Sequence, residues 1–196
     1  MKLLELFKGT GSIGKVFEEA GWEVVSLDVD PKSAATITAD ILNWDYKQYE
    51  PGSFDVIWGS PPCTEYSRAK TRGVRRLEYA DQIVQRLLDI IEYFKPAVWW
   101  FENPHSGLLR HRSVVAHLPI PFMVSYCMYG APYRKNTALW SNVTNFTPKT
   151  CDKMCGSYVN GKHASRAQRG EYSVNELYMI PPSLCEAILL ATKDDL

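Results

Sequence analysis

Cys63 and Glu102 are the residues whose position in the sequence best suits covalent chemistry. Cys63 closes the motif SPPC, which follows the apolar run at residues 54–58. Such a run predicts a buried parallel strand, and ligands of open α/β sheets bind just beyond the carboxyl ends of strands. Two consecutive prolines stiffen the turn, so we expect a thiol aimed at a ligand. The alternative is an inert buried thiol.

Glu102 follows a second apolar run, AVWWF at residues 97–101, and precedes Asn103 and Pro104. At the end of a strand its carboxyl group could donate to a ring nitrogen of a substrate. The alternative is a glutamate that only caps the following turn. We favour the catalytic interpretation because Cys63 is expected at the end of the neighbouring strand.

A glycine turn near the N-terminus predicts a nucleotide-like ligand. Residues 2–7 have the pattern of a strand, and the glycines at 9, 11 and 14 fit G-x-G-x-x-G before a helical pattern. Glycines there permit a tight turn and let backbone N–H groups approach a ligand. The turn also nearly matches a phosphate-binding P-loop, but Val16 occupies the position that needs a hydroxyl group, so we set that interpretation aside.

Two aspartates extend this prediction to an adenosine. Asp28 ends the second predicted strand, where a carboxylate can hold ribose hydroxyls, and Asp30 is the alternate. Asp40 and Ile41 end a short predicted strand at residues 36–41 and could contact an adenine ring. Because the pocket has no evident place for a phosphate, it favours S-adenosylmethionine over NAD. Solvated turn carboxylates are the alternative.

The segment at residues 64–76 carries five positive charges immediately after Cys63. It lacks helical periodicity and is predicted to be a mobile loop that contacts nucleic acid, since phosphate contacts supply most non-specific affinity. A solvated charged face is the alternative. The five residues are Arg68, Lys70, Arg72, Arg75 and Arg76.

Length and composition favour a single intracellular domain. The chain has 196 residues, 45% of them hydrophobic, and its 22 basic residues balance its 22 acidic ones. The apolar stretch at the N-terminus is short and interrupted by charges, so neither a signal peptide nor a membrane partner is expected. Five cysteines, an odd number, suit reduced thiols, catalysis or metal better than a disulfide framework.

In order and spacing, GTGSIG, Asp28, Asp40, SPPC and Glu102-Asn103-Pro104 resemble the motifs of DNA (cytosine-5) methyltransferases, over most of the chain. The resemblance implies a Rossmann-like α/β fold that binds S-adenosylmethionine, with a mostly parallel sheet and helices on both faces. DNA is the implied partner, with the target cytosine flipped out of the helix. The implied cofactor residues are Phe7, Gly9, Thr10, Gly11, Ser12, Ile13, Asp28, Val29, Asp40, Ile41, Ser60 and Pro61.

The resemblance also implies a covalent mechanism. The Cys63 thiolate would attack cytosine C6 while Glu102 holds or protonates N3, so that C5 can take the methyl group and loss of its proton expels the thiol. Asn103 and Arg134 are assigned to the catalytic site and Lys135 to nucleic acid. Methyltransferases of exocyclic amines carry Asp or Asn before Pro-Pro and an aromatic residue after it, so Ser60 and Cys63 argue against that class.

The chain departs from the family in length. Relatives that recognise a DNA sequence insert a recognition domain between Asn142 and the last motif, at residues 178–191, where this chain has only a short insertion at about 143–170. We therefore expect one domain over residues 1–196 with little or relaxed sequence specificity. Cys151, Cys155 and the stretch Gln168-Arg169-Gly170 look like the pattern of compact phage- and virus-type members.

The same insertion could bind zinc. Cys151, Cys155 and His163 have suitable ligand types and spacing, and Cys127 is the candidate fourth ligand. Reduced, non-ligating thiols are the alternative. Two other functions stay open: methylation of cytosine C5 in RNA, and a non-catalytic binding module completed by a specificity-conferring partner subunit.

Overall fold

The computed structural model describes residues 1–163 and 172–196. The described residues form one large sheet of seven strands in the order β3-β2-β1-β4-β5-β7-β6. The strands are β1 (Lys2–Leu6), β2 (Glu23–Asp28), β3 (Ile37–Thr38), β4 (Val56–Gly59), β5 (Val98–Pro104), β6 (Phe122–Ser125) and β7 (Asn136–Ser141). The first five run parallel, and β7 is antiparallel to both of its neighbours.

Helices cover both faces of this sheet. The described helices are α1 (Ser12–Glu19), α2 (Leu77–Phe94), α3 (Val174–Tyr178) and α4 (Pro182–Asp194), and a small separate hairpin consists of β8 (Tyr158–Val159) and β9 (Lys162–His163). This confirms the predicted α/β architecture with a mostly parallel sheet.

Alternation of side chains along the central strands supplies two cores. Leu3 and Trp58 point to one face, where they pack with α1 and α4. Leu4 and Ile57 point to the other face, where they pack with α2. A strand buried on both faces must be almost continuously apolar, which explains the runs in β1, β4 and β5.

Two strands are shorter than the sequence predicts. β3 contains only Ile37–Thr38, because Asp40 folds the chain into a turn: its Oδ1 accepts the N–H of Leu42 at 3.0 Å. A carboxylate that bonds the backbone two residues later competes with strand pairing. The sequence pattern at residues 119–127 predicts another strand, but β6 contains only Phe122–Ser125, since prolines precede it and a 3-10 helix, Tyr126–Tyr129, follows it.

None of the helices in the described ranges combines the length and the apolar character needed to span a bilayer.

Candidate active site

The parallel strands bring the predicted site residues to one edge of the sheet. The glycine turn follows β1, Asp28 ends β2, and the SPPC motif follows β4. β5 pairs with β4 only as far as Phe101 and then continues, so Glu102 projects beyond the end of β4. Ligand sites lie at this edge in open α/β sheets.

The glycine turn is hydrogen-bonded to Asp28 at the end of β2. The N–H of Gly9 donates to Asp28 Oδ2 at 2.8 Å, and the N–H of Asp30 donates to the other oxygen at 2.8 Å. Phe7, Gly9 and Gly11 all have positive φ, of 61°, 49° and 66°. This left-handed backbone folds the loop back on itself, so the N-terminus of α1 faces the same side as Asp28.

A cavity at this edge joins the cofactor candidates to the catalytic candidates. Its lining includes most of the predicted cofactor residues and both predicted reactive side chains: Phe7, Gly9, Thr10, Ser12, Ile13, Asp28, Val29, Ser60, Pro61, Cys63 and Glu102. Asp40 and Ile41 line an adjoining cavity, which shares Phe7, Val29 and Pro62 with the first. Gly11 faces a separate depression beside Gly14 and Lys15.

Cys63 and Glu102 line this cavity together with the basic side chain of Lys135. The Glu102 side chain is 10% exposed, and its Oε1 lies 3.8 Å from the Nζ of Lys135. The same Oε1 has no hydrogen-bond partner among the described residues, so it is available to a ligand. Burial raises the pKa of the half-buried Cys63 thiol, and the charge of Glu102 raises it further, whereas Lys135 lowers it.

Asn103 positions the cysteine turn. Its Nδ2 donates to the carbonyl of Pro61 at 3.0 Å, and the side chain is fully buried. This hydrogen bond connects β5 to the SPPC turn, the turn that carries Cys63.

The two basic residues before β7 have different positions. Lys135 was assigned to nucleic acid, and the structure places it in the cavity beside Glu102. Arg134 was assigned to the catalytic site, and it is exposed with its Nε donating to Asn136 Oδ1 at 3.1 Å.

Sequence reasoning missed Glu5, which also lines the cavity. Glu5 lies inside β1, is 2% exposed, and accepts the N–H of Gly14 at 3.0 Å through Oε1. Its Oε2 has no partner among the described residues, and a Cβ at Gly14 would collide with it. Burial raises the pKa of Glu5 to about 7. The sequence does contain a signal for Glu5, because a single acidic residue interrupts the apolar run LLELF at residues 3–7.

Glu65 organises the charged loop at residues 64–76. Its side chain accepts the Nζ of Lys70 at 2.6 Å and the N–H of Arg76 at 2.9 Å. The guanidinium of Arg75 donates to the carbonyls of Glu65 and Lys70 at 2.7 and 2.8 Å. Lys70 and Arg75 are therefore engaged within the loop.

The other three cations of this loop are exposed. The Arg76 guanidinium lies 5.2 Å from the centroid of the Tyr79 ring. Arg68 and Arg72 make no ion pair with any residue that the structure describes.

The metal-ligand candidates converge at a second place. One ligand atom from each of Cys127, Cys151, Cys155 and His163 lies within 4.8 Å of every other. The stretch Gln168-Arg169-Gly170, which supported the comparison with compact family members, lies outside the described residues.

Known proteins with similar sequences include DNA methyltransferases. The "Probable DNA (cytosine-5)-methyltransferase" of Frog virus 3 is 33% identical over 166 residues, which cover 77% of this chain and 75% of the viral protein. The type II methyltransferase M.AgeI of Thalassovita gelatinovora is 26% identical over 194 residues, which cover 84% of this chain. The matched part is only 44% of that bacterial protein.

The fold is shared with a solved structure, the Entamoeba histolytica methyltransferase EhMeth. The two superpose with a TM-score of 0.58 at 17% identity, over 76% of this chain and 55% of the other. Residues 1–120 match the model of the C-5 cytosine-specific DNA methylases. That range contains the glycine turn, Cys63 and Glu102. On this evidence the chain belongs to the C-5 cytosine-specific DNA methylase family.

Proposed function

We propose that the protein transfers a methyl group from S-adenosylmethionine to C5 of cytosine in DNA, through a covalent bond between Cys63 and cytosine C6. The observation that carries the proposal is a single cavity lined by the glycine turn, Asp28, Cys63 and Glu102. The family and the viral relative support the same reaction class.

The residues at the sheet edge fit S-adenosylmethionine. Asp28 faces the cavity where a ribose could donate its hydroxyls, and the adjoining cavity combines Asp40 with the apolar Ile41 and Val29, as an adenine would need. The unpartnered Oε2 of Glu5 is a further acceptor at the cavity wall. When bound, the cofactor supplies an electrophilic methyl group.

The protein must make cytosine C5 nucleophilic, because an aromatic carbon has no lone pair to offer. The Cys63 thiolate adds to C6, and the electrons of the C5–C6 double bond become available at C5. Glu102 holds or protonates N3, and the proton between the carboxyl group and N3 offsets the negative charge that develops on the ring. After C5 takes the methyl group, loss of its proton restores the double bond and breaks the S–C6 bond, which returns the thiolate.

Arg68 and Arg72 suit contact with the DNA backbone. Both are exposed on the loop that begins beside Cys63, and neither is used in the Glu65 network described above. Arginine phosphate contacts give affinity without reading sequence. Together with the short insertion after β7, they support methylation with relaxed sequence specificity.

Product analysis tests the proposal. The protein is incubated with methyl-labelled S-adenosylmethionine and duplex DNA, single-stranded DNA or structured RNA, and the labelled nucleoside is identified after digestion. We expect 5-methyldeoxycytidine from DNA, no label with Cys63→Ser, and retained labelling with Cys185→Ala, which alters a buried thiol outside the cavity.

Three results would contradict the proposal. A label on an exocyclic amine would exclude chemistry at C5, and undiminished activity of Cys63→Ser would exclude the covalent route. A label in RNA alone would favour the RNA methyltransferase.

A further inference from the structure

Three thiols and one imidazole lie close together in the described part of the chain, and none of them lines the catalytic cavity. The Sγ atoms of Cys151 and Cys155 are 3.6 Å apart, and the Nε2 of His163 lies 3.3 Å from the first and 3.4 Å from the second. The Sγ of Cys127 lies within 4.8 Å of all three. We infer that these four residues bind one structural zinc ion.

The distances match the tetrahedral geometry of zinc. With Zn–S bonds of about 2.3 Å and Zn–N bonds of about 2.0 Å, neighbouring ligand atoms lie about 3.5 to 3.8 Å apart. The three separations among Cys151, Cys155 and His163 are close to this range, so these three ligands need only small movements to bind zinc. Three sulfurs and one nitrogen complete a closed site of the structural type, with no open position for catalysis.

The cysteines of this cluster are free thiols with polar groups close to two of their sulfur atoms. All five cysteines lie in the described part of the chain, and none of them is bridged to another. The N–H of Lys153 points at the Sγ of Cys151 at 3.4 Å, and the hydroxyl of Ser157 lies 3.3 Å from the Sγ of Cys155. Donors aimed at sulfur stabilise thiolates, the form in which cysteine binds zinc.

His163 lies in the second strand of a tight hairpin. β8 and β9 are joined through Asn160 and Gly161, whose φ values of 51° and 78° are typical of a two-residue hairpin turn. The ring of Tyr158 packs edge-on against His163 at 5.2 Å between centroids. The hairpin thus returns His163 to the cysteine pair.

The cysteine cluster has few apolar neighbours among the described residues. Cys127, Cys151 and Cys155 form their own small cluster, separate from the two cores of the sheet, with only Met128 and Tyr158 packed against it among the described residues. A segment with so few apolar contacts generally needs a metal or a disulfide to stay folded.

The ion would connect this segment to the catalytic end of the sheet. Cys127 lies in the 3-10 helix that follows β6, next to Tyr126. The N–H of Tyr126 donates to the carbonyl of Lys135 at 3.0 Å, and the Nζ of Lys135 lies 4.7 Å from the centroid of the Tyr126 ring. Zinc bound by Cys127 would therefore connect Cys151, Cys155 and His163 to the 3-10 helix whose Tyr126 contacts Lys135.

Metal content measured on the full chain tests the inference. The protein is purified without chelator, dialysed against metal-free buffer, and analysed by mass spectrometry for zinc. We expect one equivalent per chain in the wild type, an unchanged equivalent in Cys63→Ser, and loss of most of the zinc in Cys151→Ser. Failure of the proposed methylation with zinc retained would leave this inference intact.

A spectroscopic measurement covers the case in which Cys151→Ser does not fold. Zinc in the wild type is exchanged for Co²⁺, and we expect the visible bands of tetrahedral cobalt together with sulfur-to-metal charge transfer in the near ultraviolet. Absence of zinc in the wild type, an octahedral cobalt spectrum, or a Cys151–Cys155 disulfide found by peptide mapping would each overturn the inference.

Discussion

At the scale of single residues, the charges around Cys63 oppose one another. Burial and the neighbouring carboxylate of Glu102 raise the pKa of the thiol, and Lys135 lowers it. The free protein therefore keeps most of the thiol protonated near neutral pH. A proton shared between Glu102 and N3 of a bound cytosine would neutralise the carboxylate, so the thiolate would form more readily when substrate is present.

Substitutions of the two charged neighbours should shift the pKa of Cys63 in opposite directions. Glu102→Gln removes the negative charge, so the pKa falls and thiolate forms at lower pH. Lys135→Met removes the positive charge, so the pKa rises. The measurement is the rate of Cys63 alkylation by iodoacetamide against pH, followed by mass spectrometry of the peptide. Equal profiles in both variants and the wild type would contradict this electrostatic account.

The sequence predicted some of these residues and missed others for identifiable reasons. Cys63 and Glu102 are predicted by the strand ends that precede them, because parallel strands end at one edge. Lys135 is predicted among the nucleic-acid contacts, since sequence alone does not show which of two adjacent cations before a strand points inward. Glu5 was missed because its burial depends on α1 packing over it.

At the scale of elements, the junction of β1 and α1 contains a buried acid. The pKa of Glu5 is about 7 in the folded protein, against an ordinary value of 4.5 for glutamate. The folded state therefore binds the proton more tightly than the unfolded state. Its stability should fall as pH rises from about 4.5 to about 7, by roughly 2 to 4 kcal/mol in total.

Glu5→Gln should remove this pH dependence. The amide can still accept the N–H of Gly14 through its oxygen, but it carries no charge at any pH. We expect the variant to be more stable than the wild type above pH 7 and to have a flatter stability profile. Urea unfolding of the cofactor-free protein from pH 5 to 8 measures this, with Glu19→Gln, an exposed acid on α1, as control. Parallel profiles for Glu5→Gln and the wild type would contradict the burial argument.

The loop between β4 and α2 separates DNA-binding cations from structural ones. Arg72→Ala should weaken DNA binding and reduce the slope of log affinity against log salt by about 1, because one phosphate contact is lost. Arg75→Ala should leave that slope nearly unchanged and increase proteolysis of the loop, because it removes two hydrogen bonds that organise it.

Fluorescence anisotropy with a labelled duplex at several salt concentrations measures these slopes. Lys193→Ala, on the exposed end of α4, is the charge-matched control. A full salt slope in Arg72→Ala would contradict the assignment.

Most elements could be predicted from sequence because their apolar runs are long. β1, β4 and β5 begin and end within a few residues of the runs at 2–7, 54–58 and 97–101 that predict them. β3 and β6 lie at the two edges of the sheet, where one side is unpaired and local turns compete with pairing. Their shortening reflects the carboxylate of Asp40 and the prolines before Phe122.

At the scale of the whole molecule, the C-terminal helix closes one core. Trp100 in β5 donates its indole N–H to the Oγ1 of Thr192 in α4 at 3.0 Å, and both side chains are fully buried. Thr192→Val keeps the shape but leaves the indole N–H without an acceptor, which should cost about 1 to 3 kcal/mol in the free energy of unfolding. Urea unfolding measures this, and Thr192→Ser, which keeps the hydroxyl, should lose less. Equal losses would contradict the role of the hydrogen bond.

The whole-molecule architecture was predictable from motif order, but the convergence of distant segments was not. Cys127 was proposed as a fourth zinc ligand only on condition that the fold brings it near, and β6 and the 3-10 helix do so. The cofactor candidates share one cavity with Cys63 and Glu102 because of the order of the strands in the sheet. Composition does not determine that order.

The most direct test of the central claim is covalent trapping with DNA that contains 5-fluorocytosine. Its C5 fluorine cannot leave as the proton does, so the bond between Cys63 and C6 should persist after methyl transfer. With methyl-labelled S-adenosylmethionine, we expect a labelled protein–DNA adduct that maps to Cys63 and is absent in Cys63→Ser. Methylation of ordinary DNA without any adduct on the fluorinated duplex would contradict the account.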